Sequence, residues 1–248
     1  MLPGSSRQTV YSLYGRQNGQ DAYNIEARLR TNSYAVSGGP TEDWPGSDYD
    51  AMFAVHANIS KINHSCRPNA APQWDWDLFA HNLYAVRDVA AGEEITISYL
   101  GANYALLPSQ ERKQYLNSSL GFDCVCDHCK AAQKFVDLSD DRINEILLLE
   151  RHLEDKKIAP AEPTAMAELL VSLYKQEGLE LFISKAYAIA AREWNGAGYE
   201  YQARLWAYQS LKASTISSLS SGAEEYVEDM NDLLNGARHH WSWKYRVR

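Results

Sequence analysis

The chain has 248 residues, of which 45% are hydrophobic and 23% are charged, so it can bury the core of one large domain or of two modest ones. This composition excludes a peptide-like or disulfide-dependent scaffold. Its 24 Lys and Arg residues against 32 Asp and Glu residues give a net charge of −8, which disfavours a broad phosphate-binding surface and favours basic partners.

The sequence shows no sign of a membrane segment. No apolar run approaches the roughly 18 residues that a membrane span needs, and the first ten residues lack the apolar stretch of a signal peptide. We therefore expect a soluble protein of the cytoplasm or nucleus with no membrane partner.

The first part of the chain is predicted to be rich in loops and short strands. Gly, Ser, Asn and Tyr dominate the first 50 residues, which predicts short helices between loops, the clearest over residues 8–19. Residues 51–99 are typical of short strands separated by turns. In the clearest strand, residues 95–99, Ile95, Ile97 and Tyr99 alternate with polar residues, so we predict that they share an inward face.

Helices are predicted in the rest of the chain. One covers residues 109–116, with Ser109 as its N-cap and Gly121 as its stop. Beyond residue 132, apolar residues recur at three- and four-residue spacing, which predicts four or five helices. The basic and aromatic residues 238–248 are predicted to form a final helix paired with the acidic residues 224–232, rather than a nucleic-acid contact.

These elements predict an α+β fold in two parts. A β-rich core of short strands occupies residues 1–132, and an α-helical C-terminal domain occupies residues 133–248.

The cysteines point to a metal. Three of the four lie within six residues, in the pattern Cys124-x-Cys126-x-x-Cys129, which in a reducing compartment favours metal ligation over disulfides. Cys66 is the candidate fourth ligand, and four thiolates would make a closed structural zinc site, one ion per chain, with no open position for catalysis. The alternative is a set of unrelated buried thiols. His128, between two of the ligands, is expected to be exposed.

Three segments resemble a known family. Asn-His-Ser-Cys at residues 63–66, Gly-Glu-Glu-Ile-Thr-Ile-Ser-Tyr at residues 92–99 and Phe-x-Cys-x-Cys-x-x-Cys at residues 122–129 follow one another in the chain. They resemble the C-terminal half of a SET domain with its post-SET zinc loop, of the type found in SET-and-MYND proteins and short fungal SET proteins. The resemblance covers roughly residues 30–130.

This resemblance implies a methyltransferase that moves a methyl group from S-adenosylmethionine to a lysine of a protein or peptide substrate. By motif position Tyr99 would be catalytic, with its hydroxyl beside the transferring methyl group and the attacking nitrogen. The residues implied to bind the cofactor are Asn63 and His64 at its methionine end, Ser60 nearby, Phe122 stacked on adenine, and Asn32 facing the pocket.

The chain also departs from that family. A SET domain carries a Gly-x-Gly element on its first strands, whereas the one Gly-x-Gly here is at residues 196–198, where we interpret it as a turn between helices. The alternative function is a truncated SET-derived protein that no longer uses S-adenosylmethionine and works as a small-molecule enzyme or a protein-binding module. Outside the motif, Asn63 and Asn69 would be interpreted as turn-closing residues and His64 as a core histidine.

Overall fold

A computed structural model describes residues 4–15, 25–36, 52–217 and 224–247 of the chain. The architecture is α+β, as predicted, with the strands in the first hundred residues and a run of helices after them. None of the helices in these ranges offers the long apolar stretch that a membrane crossing requires.

The elements are short in the first half of the chain and longer in the second. In chain order they are α1 (Gly4–Ser12), α2 (Ile25–Asn32), β1 (Ser33–Val36), β2 (Met52–Val55), β3 (Asn63–His64), β4 (Ala70–Asp75), β5 (Ala80–Ala85), β6 (Thr96–Ile97), α3 (Ala102–Ala105), α4 (Ser109–Leu120), α5 (Gln133–Glu154), α6 (Pro163–Gln176), α7 (Ser184–Gly196), α8 (Glu200–Ser217) and α9 (Glu224–Gly236). The helix predicted over residues 8–19 corresponds to α1, which ends at Ser12, and residues 16–19 lie outside the described ranges.

The strands pair two by two in the described residues. β1 and β2 are antiparallel, as are β4 and β5, whereas β3 and β6 are parallel, with His64 opposite Ile97. The turn between β4 and β5 is closed by Asp75, whose Oδ1 accepts the backbone N–H groups of Asp77 and Leu78 at 2.9 and 3.0 Å.

The strand predicted over residues 95–99 is shorter than expected. Only Thr96 and Ile97 are paired, and Ile97 is fully buried while Ile95 and Tyr99 are 40% and 37% exposed. The prediction of one inward face for all three was therefore wrong. Backbone pairing stops at Ile97 because the N–H of Tyr99 donates to the side chain of His64 instead of to a strand.

Helix α4 ends as predicted but begins differently. Gly121 adopts φ 79°, the left-handed conformation that glycine tolerates at a helix C-terminus. Ser109 was predicted as the N-cap, but the N-cap is Pro108, and Ser109 lies in the first turn. Its backbone N–H donates to Oδ1 of Asp140 on α5 at 2.8 Å, so a carboxylate from another helix replaces the local cap.

Five α-helices, α5 to α9, follow residue 132 in the described residues, which confirms the predicted helical region. Helix α7 lies among them and contacts α5, α6, α8 and α9. Its alanines make this close packing possible, because the small side chains of Ala186, Ala188, Ala190 and Ala191 are all fully buried. The turn predicted at residues 196–198 separates α7 from α8, with Gly198 at φ 86°.

The C-terminal residues fold back on α7. Residues 238–247 form turns, so the predicted final helix was wrong. The segment is held by backbone bonds from Lys244 and Arg246 to the carbonyls of Asn195 and Gly196, at 3.0 and 3.1 Å. A Cβ on Gly196 would lie 2.3 Å from the Tyr245 ring, so glycine permits this approach. Local periodicity could not reveal a path that depends on these tertiary contacts.

A serine and a histidine of this segment are in hydrogen-bond contact with each other and with an aspartate of α9. His240 lies 2.8 Å from Ser242 Oγ and 3.1 Å from Asp229 Oδ1, and Trp241 donates to the same carboxylate at 2.7 Å. Asp229 of the acidic segment thus contacts His240 and Trp241, whereas Arg238 and Arg246 pair with Glu200 and Glu193 and not with residues 224–232 as predicted. Ser242 is fully buried, so this triad orders the C-terminus rather than acting as a nucleophile.

One cluster of buried side chains joins the strand-rich and helical parts. It runs from Cys66 and Leu100 through Leu116 to Ile143 and Leu170. The domain boundary at residue 132 stays a prediction.

Glu177, after α6, connects the two parts by charge. Its Oε2 accepts from Ser139 Oγ at 2.5 Å and from Arg67 at 3.2 Å, and its Oε1 accepts from Arg142 at 2.6 Å. Burial alone would raise the pKa of Glu177, but the hydrogen bonds from Ser139 and Arg142 hold it below its ordinary value. Ser139 Oγ also lies 3.0 Å from Nε2 of His128, whose side chain is 20% exposed, so the prediction that His128 is exposed was wrong.

Replacing Glu177 with Gln should lower the free energy of unfolding by about 3 kcal/mol, because two arginines lose the charge that compensates them. Chemical denaturation measures this change. The loss should be full at pH 7 and should shrink below about pH 4, since a carboxyl with a lowered pKa stabilises the fold above its unfolded pKa and stops doing so once it is protonated.

The control is Glu26→Gln, which removes an i,i+4 pair with Arg30 whose side chains are 65% and 79% exposed. Its effect should stay below about 1 kcal/mol. Equal losses in the two variants would contradict the role of Glu177.

Candidate functional site

The four cysteines converge on one point. Their sulphur atoms all lie within 4.8 Å of one another, with Cys66 Sγ 3.9 Å from Cys124 Sγ and 3.5 Å from Cys129 Sγ. These distances are too long for disulfides and bracket the edge of about 3.8 Å that a tetrahedron with metal–sulphur bonds of about 2.3 Å would have. Cys66, Cys124 and Cys129 are buried and Cys126 is partly buried. The set can hold a metal ion.

The sulphurs perturb one another strongly. Hydrogen bonding to Cys124, the largest cause, lowers the pKa of Cys126 and raises that of Cys66. Four thiolates around a divalent ion carry a net charge of −2, and the surroundings are suited to that charge. Arg112 is fully buried beside the site, where its charge helps to lower the pKa of His64, and two of its guanidinium nitrogens have no hydrogen-bond partner among the described residues.

Two side chains donate hydrogen bonds to backbone carbonyls of the cysteine cluster. Arg67 donates to the Cys66 carbonyl at 2.8 Å while it also pairs with Glu177, and Lys113 on α4 donates to the Cys129 carbonyl at 2.8 Å. The metal site is thereby tied to α4 and to the helical part.

Asn69, buried at 1% exposure, fastens β6 to the start of β4. Its Oδ1 accepts the N–H of Thr96 at 2.9 Å, and its Nδ2 donates to the carbonyl of Glu94 at 2.8 Å and to Glu93 Oε1 at 3.0 Å. Sequence reasoning treated Asn69 only as a turn residue; its position three residues after Cys66 in a polar turn gave no sign of these bonds.

A cavity of about 790 Å³ adjoins the metal site. Its wall includes every residue that the resemblance implied for the cofactor and for catalysis: Asn32, Ser60, Asn63, His64, Tyr99 and Phe122. It also includes Leu13 and Tyr14 after α1 and Tyr34 on β1, which the sequence did not single out. Side chains as far apart along the chain as Leu13 and Phe122 thus line one cavity.

Several of these side chains are already bonded within the protein. Asn32 donates to the carbonyls of Tyr14 and Arg28 at 2.6 and 2.7 Å, which fixes α2 against the end of α1. Asn63 donates to Glu94 Oε1 at 2.6 Å, and Ser60 donates to the Asn32 carbonyl at 3.1 Å. These bonds fix the shape of the cavity wall.

His64, Tyr99 and Phe122 form a triangle of rings on that wall. The ring centroids lie 5.2 Å apart for His64 and Tyr99, and 6.1 Å apart for each of the other two pairs. The Tyr99 hydroxyl donates to the Ile62 carbonyl at 2.6 Å. Burial raises the pKa of Tyr99 and, with a contribution from Tyr99, that of Tyr34, so both phenols are neutral at pH 7. Burial also lowers the pKa of His64 to about 4.

The SET domain family model matches residues 13–100. This match supports the SET-domain resemblance that the motifs indicated, and β1 to β6 and the wall residues Asn32 to Tyr99 lie within the matched residues.

Several known proteins are similar to part of the chain. Over 118 residues the chain is 30% identical to human histone-lysine N-methyltransferase SMYD3, covering 48% of this chain and 25% of that protein. It is 32% identical over 93 residues to histone-lysine N-methyltransferase set5 of Schizosaccharomyces pombe, covering 37% and 28%. It is also 36% identical over 86 residues to protein-lysine N-trimethyltransferase SMYD5 of Gallus gallus, covering 35% and 20%. The similarity spans between a fifth and a third of these relatives.

Substituting Cys66 with Ser should lower the metal content from about one ion per chain, because the remaining three thiolates leave the tetrahedron open. Elemental analysis of the purified chain measures the stoichiometry. The matched control is His128→Gln, which lies between two ligands but is bonded to Ser139. It should keep its metal, and loss of metal in this control would refute ligation by four cysteines.

Proposed function

We propose that this chain carries a protein-lysine methyltransferase site that uses S-adenosylmethionine. The observation that carries the proposal is the single cavity lined by Asn32, Ser60, Asn63, His64, Tyr99 and Phe122, beside a cluster of four cysteines. The relatives named as lysine methyltransferases support the same reaction.

The cavity suits a nucleoside-bearing cofactor. Its volume of about 790 Å³ is in the range of small-molecule sites. When bound, S-adenosylmethionine supplies a transferable methyl group and a cationic sulfonium. We assign Asn63, His64 and Ser60 to its methionine end and Phe122 to a stacking contact with adenine, and we place Asn32 on the wall that shapes the pocket.

Tyr99 is the proposed catalytic residue. Its hydroxyl proton is donated to Ile62, so the oxygen is held in place and keeps lone pairs for a substrate amine. Methyl transfer is an in-line displacement, in which alignment and exclusion of water matter more than acid or base strength. A neutral, fixed phenol fits that requirement.

The substrate amine must be uncharged to attack. From an ordinary pKa near 10.4, deprotonating a lysine at pH 7 costs about 4.6 kcal/mol. The rings of Tyr34, Tyr99 and Phe122 line part of the cavity, and burial of a lysine against such rings would lower its pKa.

The proposed partner is a protein with a basic segment around the target lysine. The net charge of −8 favours such segments. Two of the relatives are named histone-lysine methyltransferases, which act on basic proteins of this kind. A cytoplasmic or nuclear location fits this partner.

The proposed metal is zinc, bound as a closed structural site. Four sulphur ligands in tetrahedral spacing suit Zn²⁺, and no ligand position is left for substrate. The two alternative functions are a small-molecule enzyme and a protein-binding module. Neither gains support from the described residues.

Titration of the chain with S-adenosylmethionine or its demethylated product should show saturable binding by calorimetry, because the cavity walls are preformed. Failure to bind at millimolar ligand would overturn the proposed function.

Replacing Tyr99 with Phe should slow methyl transfer roughly 10²-fold, the loss expected when one aligned hydrogen-bonding group is removed from a transition state. Cofactor affinity should stay nearly unchanged. Tyr104→Phe is the control, since Tyr104 stacks on Tyr115 and does not line the cavity. An unaltered rate in the Tyr99 variant, or equal slowing in both variants, would refute the assignment.

A further inference from the structure

We propose that His64 is a positioning residue that couples the four-cysteine metal site to Tyr99, with one ring nitrogen serving each side. The inference rests on the proposed function, because that function assigns Tyr99 as the catalytic residue. The coupling itself is measured without cofactor.

Both nitrogens of the His64 ring are in contact with these two groups. Nε2 lies 3.4 Å from Cys66 Sγ, and Nδ1 accepts the backbone N–H of Tyr99 at 3.0 Å. A single imidazole therefore spans the distance between a metal ligand and the proposed catalytic residue.

The partners determine where the ring proton sits. A backbone N–H can only donate, so Nδ1 of His64 carries a lone pair and the proton is on Nε2. Nε2–H then donates to the sulphur of Cys66, which is a much better acceptor as a metal-bound thiolate than as a thiol. Flipping the ring would leave the Tyr99 N–H without an acceptor, so the two contacts fix the ring as well as the tautomer.

The contact with Tyr99 replaces a missing step of backbone pairing. β3 and β6 pair over only two residues each, and the N–H of Ser65 donates to Ile97 at 3.0 Å where that pairing ends. Two residues beyond Ile97, the N–H of Tyr99 bonds to the His64 side chain, and the Tyr99 hydroxyl bonds to the carbonyl of Ile62, just before β3. The backbone N–H of Tyr99 is thus bonded to His64 on β3, and its hydroxyl is bonded to Ile62, the residue before β3.

Two consequences follow from this arrangement. Metal bound at Cys66 holds the His64 ring, and the ring holds Tyr99 against the cavity. In the other direction, the N–H from His64 supports the ligand, and groups that do so typically change metal affinity 10- to 100-fold.

Two variants separate the two halves of the coupling. The amide oxygen of Asn lies at the position of Nδ1, so His64→Asn keeps an acceptor for Tyr99 and loses the donor to Cys66. The amide nitrogen of Gln reaches the position of Nε2, so His64→Gln keeps the donor to sulphur and loses the acceptor for Tyr99.

The metal-loaded variants are compared by two measurements, competition of zinc with a chromogenic chelator and hydrogen exchange of the Tyr99 amide by NMR. His64→Asn should lose at least tenfold in metal affinity and keep Tyr99 protected. His64→Gln should keep metal affinity within about twofold and lose roughly tenfold in Tyr99 protection. Equal changes in both variants, or no change in either measurement, would overturn the proposal because His64 would then act by packing alone.

A third measurement needs no variant. ¹⁵N spectra of the unmodified chain with labelled histidine should show that Nδ1 of His64 carries no proton and that the ring proton is on Nε2. A proton on Nδ1 would overturn the proposal even if neither variant folds. None of these measurements involves methyl transfer, so failure of the proposed function and failure of this coupling are distinguishable.

Discussion

The convergence of Cys66 with the loop after α4 is the constraint on which the site depends. Cys66 is 1% exposed and belongs to the buried cluster that includes Leu116 and Ile143, so the metal site lies where the strand-rich part, α4 and the helices meet. Because Cys66 lies two residues after the end of β3, fixing its sulphur also fixes the two-residue pairing of β3 with β6. Such short pairing would be marginal alone. Asn63, His64 and Tyr99 reach one cavity because the sulphurs hold that pairing in place.

Buried charges attach this site to the helical part. Glu177 binds Arg67, next to the ligand Cys66, and Ser139, which contacts His128 in the cysteine loop. The charges of Glu177 and Arg67 are costly to bury unless their partners are placed accurately. The helices are therefore attached to the site by specific contacts as well as by apolar packing, and a change at the end of α6 can reach the metal site through Arg67.

Much of this arrangement could be predicted from sequence, because the strongest patterns are local. Cysteine spacing predicted four side chains whose sulphurs do converge, the motif around residues 63–66 led to residues that share one cavity, and apolar periodicity predicted the helices. The errors share a physical cause. Asp140 replaced the expected cap at Ser109, and contacts with α7 turned the C-terminal residues away from a helix. Asn69 and Glu177 carry no periodic pattern, since their partners lie far away in the chain.

The long separation of Cys66 from its partner ligands also bears on how the protein is made. Cys66 and Cys129 are 63 positions apart, so at a synthesis rate of roughly 5–20 residues per second the first thiol waits about 3–13 seconds for the last. During that interval the thiols of Cys124 and Cys129 are not yet present, so Cys66 and its Asn-His-Ser-Cys turn lack their contacts with these two residues. A nascent chain therefore passes through a period in which a thiol that is later buried is open to oxidation, and a prompt supply of metal and a reducing environment shorten that period.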